Sequence, residues 1–337
     1  MNVCVPRAMI LVFTAAQPVR TMRAVFRACV AVCACVVVLG AAWDCEYVRL
    51  WWEYAEQSFR SRTEVAPRFP MHPVDRPIPG PPRIPRIVHF VFGMKADFGG
   101  KPFGILSYVA VRSAFVMLRP HTIMFHYVHE PSGFFWERAK PMLTLRRVEP
   151  VTHIGEHAVT HVAHMADWIR LQVLKTHGGV YHDLDVITLR PYPGDWWTEP
   201  FVMGLQDTRG LCNAVMMSVP DAEFIALWQE RYVREFDQDD WDGLSVRLPL
   251  RLALDHPAAV YVLPKTAWFY PSWWDKGRMF EYDGWDWREH ADQYAHHIAE
   301  TGVWDRHIRD LTVEQVFAVT TGFHRMMRPF LGNVSGV

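Results

Sequence analysis

The sequence predicts an α/β domain with a mostly parallel central sheet. Short β-rich runs flank an amphipathic helix between Ile87 and Val128, in the order strand, helix, strand. A second amphipathic helix, His161–Thr176, ends at a glycine pair that leads directly into another β-rich run. A proline-dense segment precedes the first strand and marks where the folded domain begins.

The first elements follow from the spacing of apolar residues. The run from Ile87 to Phe92 is closed by Gly93 and is typical of a central strand. Apolar residues about one turn apart predict a helix over Phe103–Leu118, and Ile123–Val128 predicts a second strand before a turn at residues 130–133. The absence of GxGxxG and of GxxxxGK[ST] argues against dinucleotide-fingerprint and P-loop proteins.

The third strand carries two carboxylates. It begins at Val180, emerges at Asp183-Leu184-Asp185 and continues to Leu189, where Pro191 ends it. Residues i and i+2 of a strand share a face, so both carboxylates are expected to point one way while Leu184 packs on the other side.

The N-terminal region predicts a membrane anchor. With 337 residues, a net charge of -1 and 50% hydrophobic residues, the chain is neither disordered nor typical of a nucleic-acid-binding protein. We assign residues 1–27 to a basic cytosolic tail and residues 28–43, which carry no charged side chain, to a transmembrane signal anchor. A cleaved signal peptide is the competing interpretation, and in either case the rest of the chain enters a lumen.

A stem separates the anchor from the domain. Residues 44–83 form this stem, within which prolines recur from Ala66 onward, and the catalytic domain is assigned to residues 84–330. Only Cys45 and Cys212 lie outside the tail and the anchor, so no disulfide framework is expected. The glycosylation sequon Asn333-Val334-Ser335 fits a lumenal C-terminus.

Paired carboxylates at a strand end need a counter-charge. A divalent cation with oxygen ligands, Mn²⁺ or Mg²⁺, would supply it to Asp183 and Asp185 and would in turn bind a diphosphate. The preceding helix adds Asp167 and Arg170 on one face, because they are three residues apart. A DxD triplet alone occurs by chance in many proteins, and the combination with this helix and the glycine pair is more specific.

Four segments resemble one known family. They are IPRIVHFVFG, AHMADWIRLQVLKTHGGVYHDLDV, LCNAVMMSVPDAEFIALW and YAHHIAETGVWD, within residues 84–311. They resemble, in turn, the opening strand, the central motif, the following segment and the C-terminal motif of the DxD-motif glycosyltransferases. That family includes fungal initiating α-1,6-mannosyltransferases, inositolphosphoceramide mannosyltransferases and α-1,4-galactosyl or N-acetylglucosaminyl transferases. By the spacing of the C-terminal motif, Tyr294 points to His297 as its histidine and to Trp304 as its tryptophan.

The resemblance implies a GT-A-like nucleotide-sugar-binding domain and a role for each matching residue. The first strand, with His89, and its loop would hold the nucleotide of a GDP- or UDP-hexose. Asp167 and Arg170 would contact the donor sugar, and Asp183 the ribose or sugar. Asp185 would bind the metal together with Asp183, and His297 would complete the metal or diphosphate shell. The family retains the anomeric configuration of the donor carbon.

Two departures from the family pattern concern the central motif. His182 stands before Asp183, where the family more often has leucine or a similar residue, and would add a ligand or pack beside Trp168. Met165 replaces a commonly small or polar residue.

Other candidate sites have simpler alternatives. Asp207 and Asn213 are candidate catalytic residues at the border of the donor sugar, and a loop cap is the alternative for them. Solvent-facing histidines are favoured over a zinc site for His153, His157, His161 and His164, because fourth-ligand cysteines and an HExxH are missing. The aromatic cluster Trp268, Phe269, Tyr270, Trp273 and Trp274 fits either an acceptor groove or the hydrophobic core.

Together these observations predict a metal-dependent retaining glycosyltransferase. It would be a single-pass type II membrane protein of the Golgi or another secretory-pathway lumen, and it would transfer a mannose-, galactose- or GlcNAc-like hexose to a glycan or glycolipid. The alternative is a catalytically inactive carbohydrate-binding protein of the same fold. A glycosidase is disfavoured, because same-face residues of one strand do not flank a scissile bond.

Overall fold

A seven-stranded sheet organises the described part of this computed structural model, which comprises residues 83–272 and 274–332 without the side chain of Lys276. The strands of the described residues, in chain order, are β1 (Ile87–Phe92), β2 (Thr122–Tyr127), β3 (Thr144–Arg147), β4 (His153–Ile154), β5 (His157–Ala158), β6 (Gly179–His182), β7 (Val186–Thr188), β8 (Phe201–Asp207), β9 (Gly210–Ser218), β10 (Tyr261–Leu263) and β11 (Ala295–His297). In the main sheet they lie in the order β10-β8-β9-β6-β1-β2-β3, while β4 pairs with β5 and β7 with β11.

The main sheet is mostly parallel, as the sequence predicts. β1 pairs in parallel with β2 and β6, β2 with β3, and β8 with β10. β9 runs antiparallel to both β6 and β8. Because β1 is an interior strand, with β6 on one side and β2 on the other, its carboxyl end lies beside loops from both halves of the sheet.

Helices cover both faces of the sheet. The α-helices of the described residues are α1 (Ile105–Leu118), α2 (Phe134–Ala139), α3 (Val162–His177), α4 (Glu223–Arg234), α5 (Leu248–Asp255), α6 (Lys276–Phe280), α7 (Val313–Ala318) and α8 (Gly322–Leu331). Neighbouring residues of β1 belong to different cores: Phe90 packs in the cluster that holds α1 and α8, and Val91 in the cluster that holds α3, α4 and α5. This alternation, which follows from the two-residue period of a strand, gives a three-layer α/β architecture.

The local elements lie close to their predicted positions. β1 has the predicted bounds, α1 begins two residues later than expected, and β2 is shifted by one residue. α3 begins after His161, whose ring accepts a hydrogen bond from the Ala163 N–H at 3.1 Å. It ends at Gly178, whose φ of 61° suits glycine.

The predicted continuous strand through the two carboxylates is wrong. β6 ends at His182, and a turn closed by the Val186 N–H and the Asp183 carbonyl (3.1 Å) leads into β7. β7 leaves the main sheet and pairs with β11. Aspartate favours turns because its short side chain competes for backbone hydrogen bonds. The turn still directs both carboxylates to one place, while Leu184 packs against the core and also lines the cleft described below.

Several sequence-based expectations fall outside the described residues. These are the cytosolic tail, the signal anchor, the stem before residue 83, the sequon and Trp273. Among the helices of residues 83–272 and 274–332, none combines the length and the apolarity that crossing a membrane requires.

Candidate active site

A cleft of about 1110 Å³ opens at the carboxyl end of β1. Six parts of the chain contribute most of its walls: the loop after β1, the first turns of α3, the β6–β7 turn, the β8–β9 hairpin, the segment near residues 241–246 and the segment near residues 297–304. Ligand sites of open α/β sheets occur at this edge, since loops from several strands meet there.

The β6–β7 turn is held by hydrogen bonds from several parts of the chain. The Asp183 N–H donates to the Ala214 carbonyl at 2.9 Å, and the Tyr181 hydroxyl donates to Asp183 Oδ1 at 2.7 Å. The Asp185 carbonyl accepts from the Ile298 N–H at 3.0 Å, and Asp185 Oδ2 accepts from the Glu300 N–H at 2.8 Å. Both carboxylates are therefore fixed before any ligand arrives.

Arg170 joins α3 to the turn and to β9. Its guanidinium lies 3.2 Å from Asp167 Oδ1 and 3.2 Å from Asp183 Oδ1, and its Nη1 donates to Asn213 Oδ1 at 2.9 Å. The Asn213 amide in turn donates to Asp167 Oδ1 at 2.8 Å. Arg170 is 5% exposed and Asp167 is 6% exposed, so this network is largely removed from water.

His297 reaches the site through the β7–β11 pairing. Val186 stands opposite His297 in that antiparallel register, which brings a residue of the C-terminal part beside the turn. His297 Nε2 lies 3.3 Å from Asp185 Oδ1. The predicted C-terminal histidine is thus next to the predicted metal-binding carboxylate.

The ionisable groups influence one another strongly. Burial raises the pKa of Asp183, and Asp185 adds to this rise while Arg170 opposes it. Burial also acts to raise the pKa of Asp185, but the nearby His297 and the Glu300 N–H outweigh it, so that this pKa is lowered. Burial acts to lower the pKa of His297, and Asp185 outweighs it and raises that pKa well above 6.5. Without a cation, Asp185 and His297 therefore form an ion pair.

The site fits a divalent cation. Asp183, Asp185 and His297 each offer one ligand atom, and these atoms lie within 4.8 Å of one another. Within residues 83–272 and 274–332 this is the one group of three such side chains. Carboxylate oxygens and imidazole nitrogens are both common ligands of divalent metal ions in proteins. A cation would have to displace the proton that His297 carries in the ion pair.

Comparison with known proteins gives a family assignment. Residues 132–202 match the family model described as "Glycosyltransferase sugar-binding region containing DXD motif". Glucan organizing enzyme 1 of Cryptococcus neoformans var. grubii is 34% identical over 264 residues, which cover 74% of this chain and 71% of that protein. The chain belongs to the DXD-motif glycosyltransferase family. It is accordingly a glycosyltransferase enzyme.

Solved glycosyltransferase structures are also similar to this chain. The galactosyltransferase LgtC, in complex with donor and acceptor sugar analogs, is 11% identical and aligns with a TM-score of 0.42 over 72% of this chain and 96% of that chain. The PaToxG glycosyltransferase is 14% identical and aligns with a TM-score of 0.38 over 52% of this chain and 71% of that chain.

The structure brings some of the predicted site residues to the cleft and places others elsewhere. Asp167, Arg170, Asp183, Asp185, His297 and Asn213 all line the cleft. Asp207 does not, because its carboxylate binds the Arg209 guanidinium at 3.1 Å and the Arg209 N–H at 2.8 Å within the hairpin. His89 lies inside the sheet at 0% exposure, and its ring bonds to His126 at 3.0 Å and to the Gly178 carbonyl at 2.8 Å. His89 is therefore placed as a core histidine that does not reach the glycosyltransferase cleft.

His182 and the other histidines are placed outside the metal group. His182 is 0% exposed and bonds to the Tyr192 hydroxyl at 2.8 Å, so it neither joins the two carboxylates nor packs beside Trp168 in the way the sequence left open. Its pKa is lowered to about 3 by burial. His161 lines the cleft, whereas His164 is 2% exposed and its ring bonds to the Gln238 carbonyl at 3.2 Å, so His164 does not face solvent as expected. Neither histidine forms a three-ligand group with His153 or His157 among the described residues.

The aromatic cluster that the sequence assigned either to an acceptor groove or to the core packs with the core at Trp268, Phe269 and Tyr270. Trp268 and Phe269 are 0% and 4% exposed and belong to the core, so they offer no surface to a sugar. Tyr270 packs at the edge of that core.

Sequence analysis missed a lysine–glutamate pair in this glycosyltransferase site. Lys101 Nζ lies 3.2 Å from Glu300 Oε1 and 3.3 Å from Thr301 Oγ1, and both Lys101 and Glu300 line the cleft. Burial, together with the neighbouring Asp185, raises the pKa of Glu300 to about 7. The two residues are 199 positions apart, so no local pattern could have joined them. Glu300 stands three residues after His297, and that short distance was the available signal.

Proposed function

We propose that this protein transfers a hexose from a GDP- or UDP-sugar to a glycan or glycolipid, with Mn²⁺ (or Mg²⁺) and with retention at the donor carbon. The observation that supports this most directly is the convergence of Asp183, Asp185 and His297 in a large cleft. The name of the fungal relative refers to glucan, and glucan oligosaccharides are therefore included among the candidate acceptors.

The proposed metal site is formed by Asp183, Asp185 and His297. When bound, the cation would offset the charge of the donor's diphosphate and stabilise its departure. Around it, Arg170 holds Asp167, Asp183 and Asn213 in fixed positions. A site that is fixed in this way loses little entropy when the donor binds, which favours catalysis.

Lys101 supplies a cation at the mouth of the site. Its ammonium is partly buried beside Glu300 and faces the same cleft as the two carboxylates. A diphosphate would accept hydrogen bonds from it, and charge-assisted bonds of this kind are stronger than neutral ones. Of the two predicted catalytic residues, Asn213 lines the cleft, whereas Asp207 does not and is bound to Arg209.

Retention and membrane attachment belong to the same proposal. Retention is supported by the family resemblance and would be tested by ¹H NMR of the first product formed, whose anomeric coupling should match that of the donor. Attachment is supported by the apolar segment at residues 28–43, which follows a basic tail. A type II orientation predicts that the domain in intact Golgi-derived vesicles is protected from added protease.

The decisive experiment screens nucleotide-sugars with and without Mn²⁺. We expect the full-length protein in detergent to show Mn²⁺-dependent thermal stabilisation by one GDP- or UDP-hexose, because a ligand that binds the folded state stabilises it by mass action. The same donor should release nucleotide in the presence of an acceptor. Asp185→Asn should lose both effects, and Asp195→Asn, at an exposed residue that does not line the cleft, should keep both.

Two outcomes would contradict the proposal. Donor turnover that persists in Asp185→Asn and in His297→Ala would remove the metal site from the reaction. Saccharide binding without nucleotide release, for every donor tested, would instead favour the inactive carbohydrate-binding protein.

A further inference from the structure

One exposed tryptophan lies in the wall of the cleft. Trp241 is 57% exposed, and of the large hydrophobic side chains with high exposure in the described part of the chain it is the one that lines the cleft. The other exposed large hydrophobic side chains do not line the cleft, among them Tyr282 at 64% and Phe317 at 50% exposure. An apolar ring that stays in water at a cleft wall is typical of a binding surface.

Trp241 is held in a fixed orientation. Its ring stands at 87° to the His161 ring, with centroids 4.8 Å apart, and His161 itself caps α3. The segment that follows is tied down by the Val246 N–H, which donates to the Asp242 carbonyl at 2.9 Å. The Asp242 carboxylate forms an ion pair with Arg247 at 3.2 Å. Little conformational entropy would be lost when a ligand stacks on a ring that is already positioned.

The polar groups near Trp241 suit an uncharged ligand with many hydroxyls. Gln206, Asp242 and Ser245 line the same cleft and offer an amide, a carboxylate and a hydroxyl. Within the described residues, the side chains of Gln206 and Ser245 have no hydrogen-bond partner. Donors and acceptors of this kind match sugar hydroxyls, and the flat C–H face of a pyranose matches the indole ring.

The charged side chains of the cleft fall into two groups. Lys95 and Lys101 lie in the segment after β1, and a diphosphate would be drawn to them and to the cation site. The charged groups that accompany Trp241 are already paired, Asp242 with Arg247 and Arg209 with Asp207. Asp242 and Arg209 therefore add little net charge beside Trp241, and Lys95 is the lysine near enough to act on the His161 ring that Trp241 contacts.

From these observations we infer that Trp241 is the stacking platform for a pyranose ring of the acceptor glycan, with Gln206, Asp242 and Ser245 as hydrogen-bonding partners. The inference rests on the proposed function and adds the acceptor subsite to it. The sequence left open whether the aromatic cluster around Trp268 forms an acceptor groove or part of the core, and the structure buries Trp268 and Phe269 in the core.

The test compares saccharide binding with donor kinetics in three variants. Laminaritriose and α-1,6-mannotriose serve as probes, and the full-length protein is titrated with each in the presence of Mn²⁺ and UDP or GDP. We expect Trp241→Ala to weaken binding of the preferred probe, and to raise its KM as acceptor, by about tenfold or more. The donor KM should stay within about twofold, and Trp241→Phe should recover most of the loss because it retains a ring.

Tyr282→Ala is the matched control, since Tyr282 is similarly exposed and lies outside the cleft. It should bind both probes as the unaltered protein does. An unchanged acceptor KM in Trp241→Ala, with Mn²⁺-dependent turnover intact, would overturn the inference and leave the proposed function standing. A rise in the donor KM instead would assign Trp241 to the nucleotide base and would also overturn it.

The failure of the proposed function gives a different result. If the unaltered protein releases nucleotide from no donor, the transferase proposal fails, and calorimetric binding of the two saccharides still decides the role of Trp241. Binding that Trp241→Ala weakens would support the stacking platform. Equal binding by the two proteins, or binding of neither probe, would count against it.

Discussion

Replacing Arg170 by methionine should strongly destabilise the protein. The guanidinium is 5% exposed and contacts Asp167 and Asp183, each at 3.2 Å, as well as Asn213. Burial alone would lower the pKa of Arg170, but Asp183, Tyr181 and Asp167 outweigh it and raise that pKa, so the side chain is charged at every relevant pH. Methionine would fill much of the volume and leave two carboxylates without their cation.

The magnitude follows from the cost of unpaired buried charge. Removing one partner of a buried pair costs about 3–5 kcal/mol, because the remaining charge has lost both water and its partner. That is a large part of a typical folding stability of about 5–15 kcal/mol. The loss should be measured as the free energy of unfolding from urea titrations followed by circular dichroism, with the full-length protein in detergent.

Two further variants make the measurement specific. Arg234→Met removes an exposed arginine that lies 3.6 Å from Glu230, and it should cost less than about 1 kcal/mol. Asp167→Asn combined with Arg170→Met should be more stable than the sum of the single effects, since it removes one of the unpaired charges. A loss below about 1 kcal/mol in Arg170→Met would refute the argument that the network depends on this cation.

Three other predictions concern stability and donor binding. Folding stability should fall as the pH drops from 6.5 towards about 4, because burial lowers the pKa of His89 to about 4 and that of His126 to about 3, so the unfolded chain takes up protons that the folded chain does not. Urea titrations at several pH values measure this slope, and His126→Phe should make it shallower; an equal slope would contradict it. Gly179→Ala should cost about 2 kcal/mol or more in the same assay, since φ is 98° and a Cβ would lie 2.5 Å from the Ile87 carbonyl oxygen. Gly100→Ala is its control, because φ is also positive there but no atom lies within 4 Å of the added Cβ, and equal losses would refute the role of the contact. Lys101→Met should raise the KM for the nucleotide-sugar about tenfold in initial-rate assays, because the diphosphate loses a charge-assisted bond, and an unchanged KM would exclude that bond.

The elements that could be predicted are those whose signal is local. β1, α1, β2 and α3 each have a repeating apolar pattern within a few turns or a few residues, and each is found within about two residues of its predicted bounds. The Asp167–Arg170 pair followed from helical spacing alone. His297 was found through the family motif, and the β7–β11 register then brought it to the carboxylates.

The features that were predicted wrongly or missed depend on contacts between distant parts of the sequence. The antiparallel β9 supplies Asn213 to Arg170, and no local pattern shows which strand will lie beside β6. The chain turns after His182 because β7 finds its partner in the distant β11, so the apolar run through Val186 does not remain in one sheet. His89 was predicted to contact the nucleotide, but its side chain is buried inside the domain and does not line the cleft. Trp241 and the Lys101–Glu300 pair lie on loops, which carry no periodic signal.

The pairing of β7 with β11 brings residues 186–188, in the middle of the chain, into contact with residues 295–297 near its C-terminal end. Next to this pairing, the Glu300 N–H donates a hydrogen bond to the Asp185 carboxylate, although the two residues are 115 positions apart in the sequence. A nascent chain that has been synthesised only as far as the two aspartates would therefore lack this contact and the part of the cleft wall near residues 297–304. The complete site would form only after the C-terminal part of the chain has been synthesised.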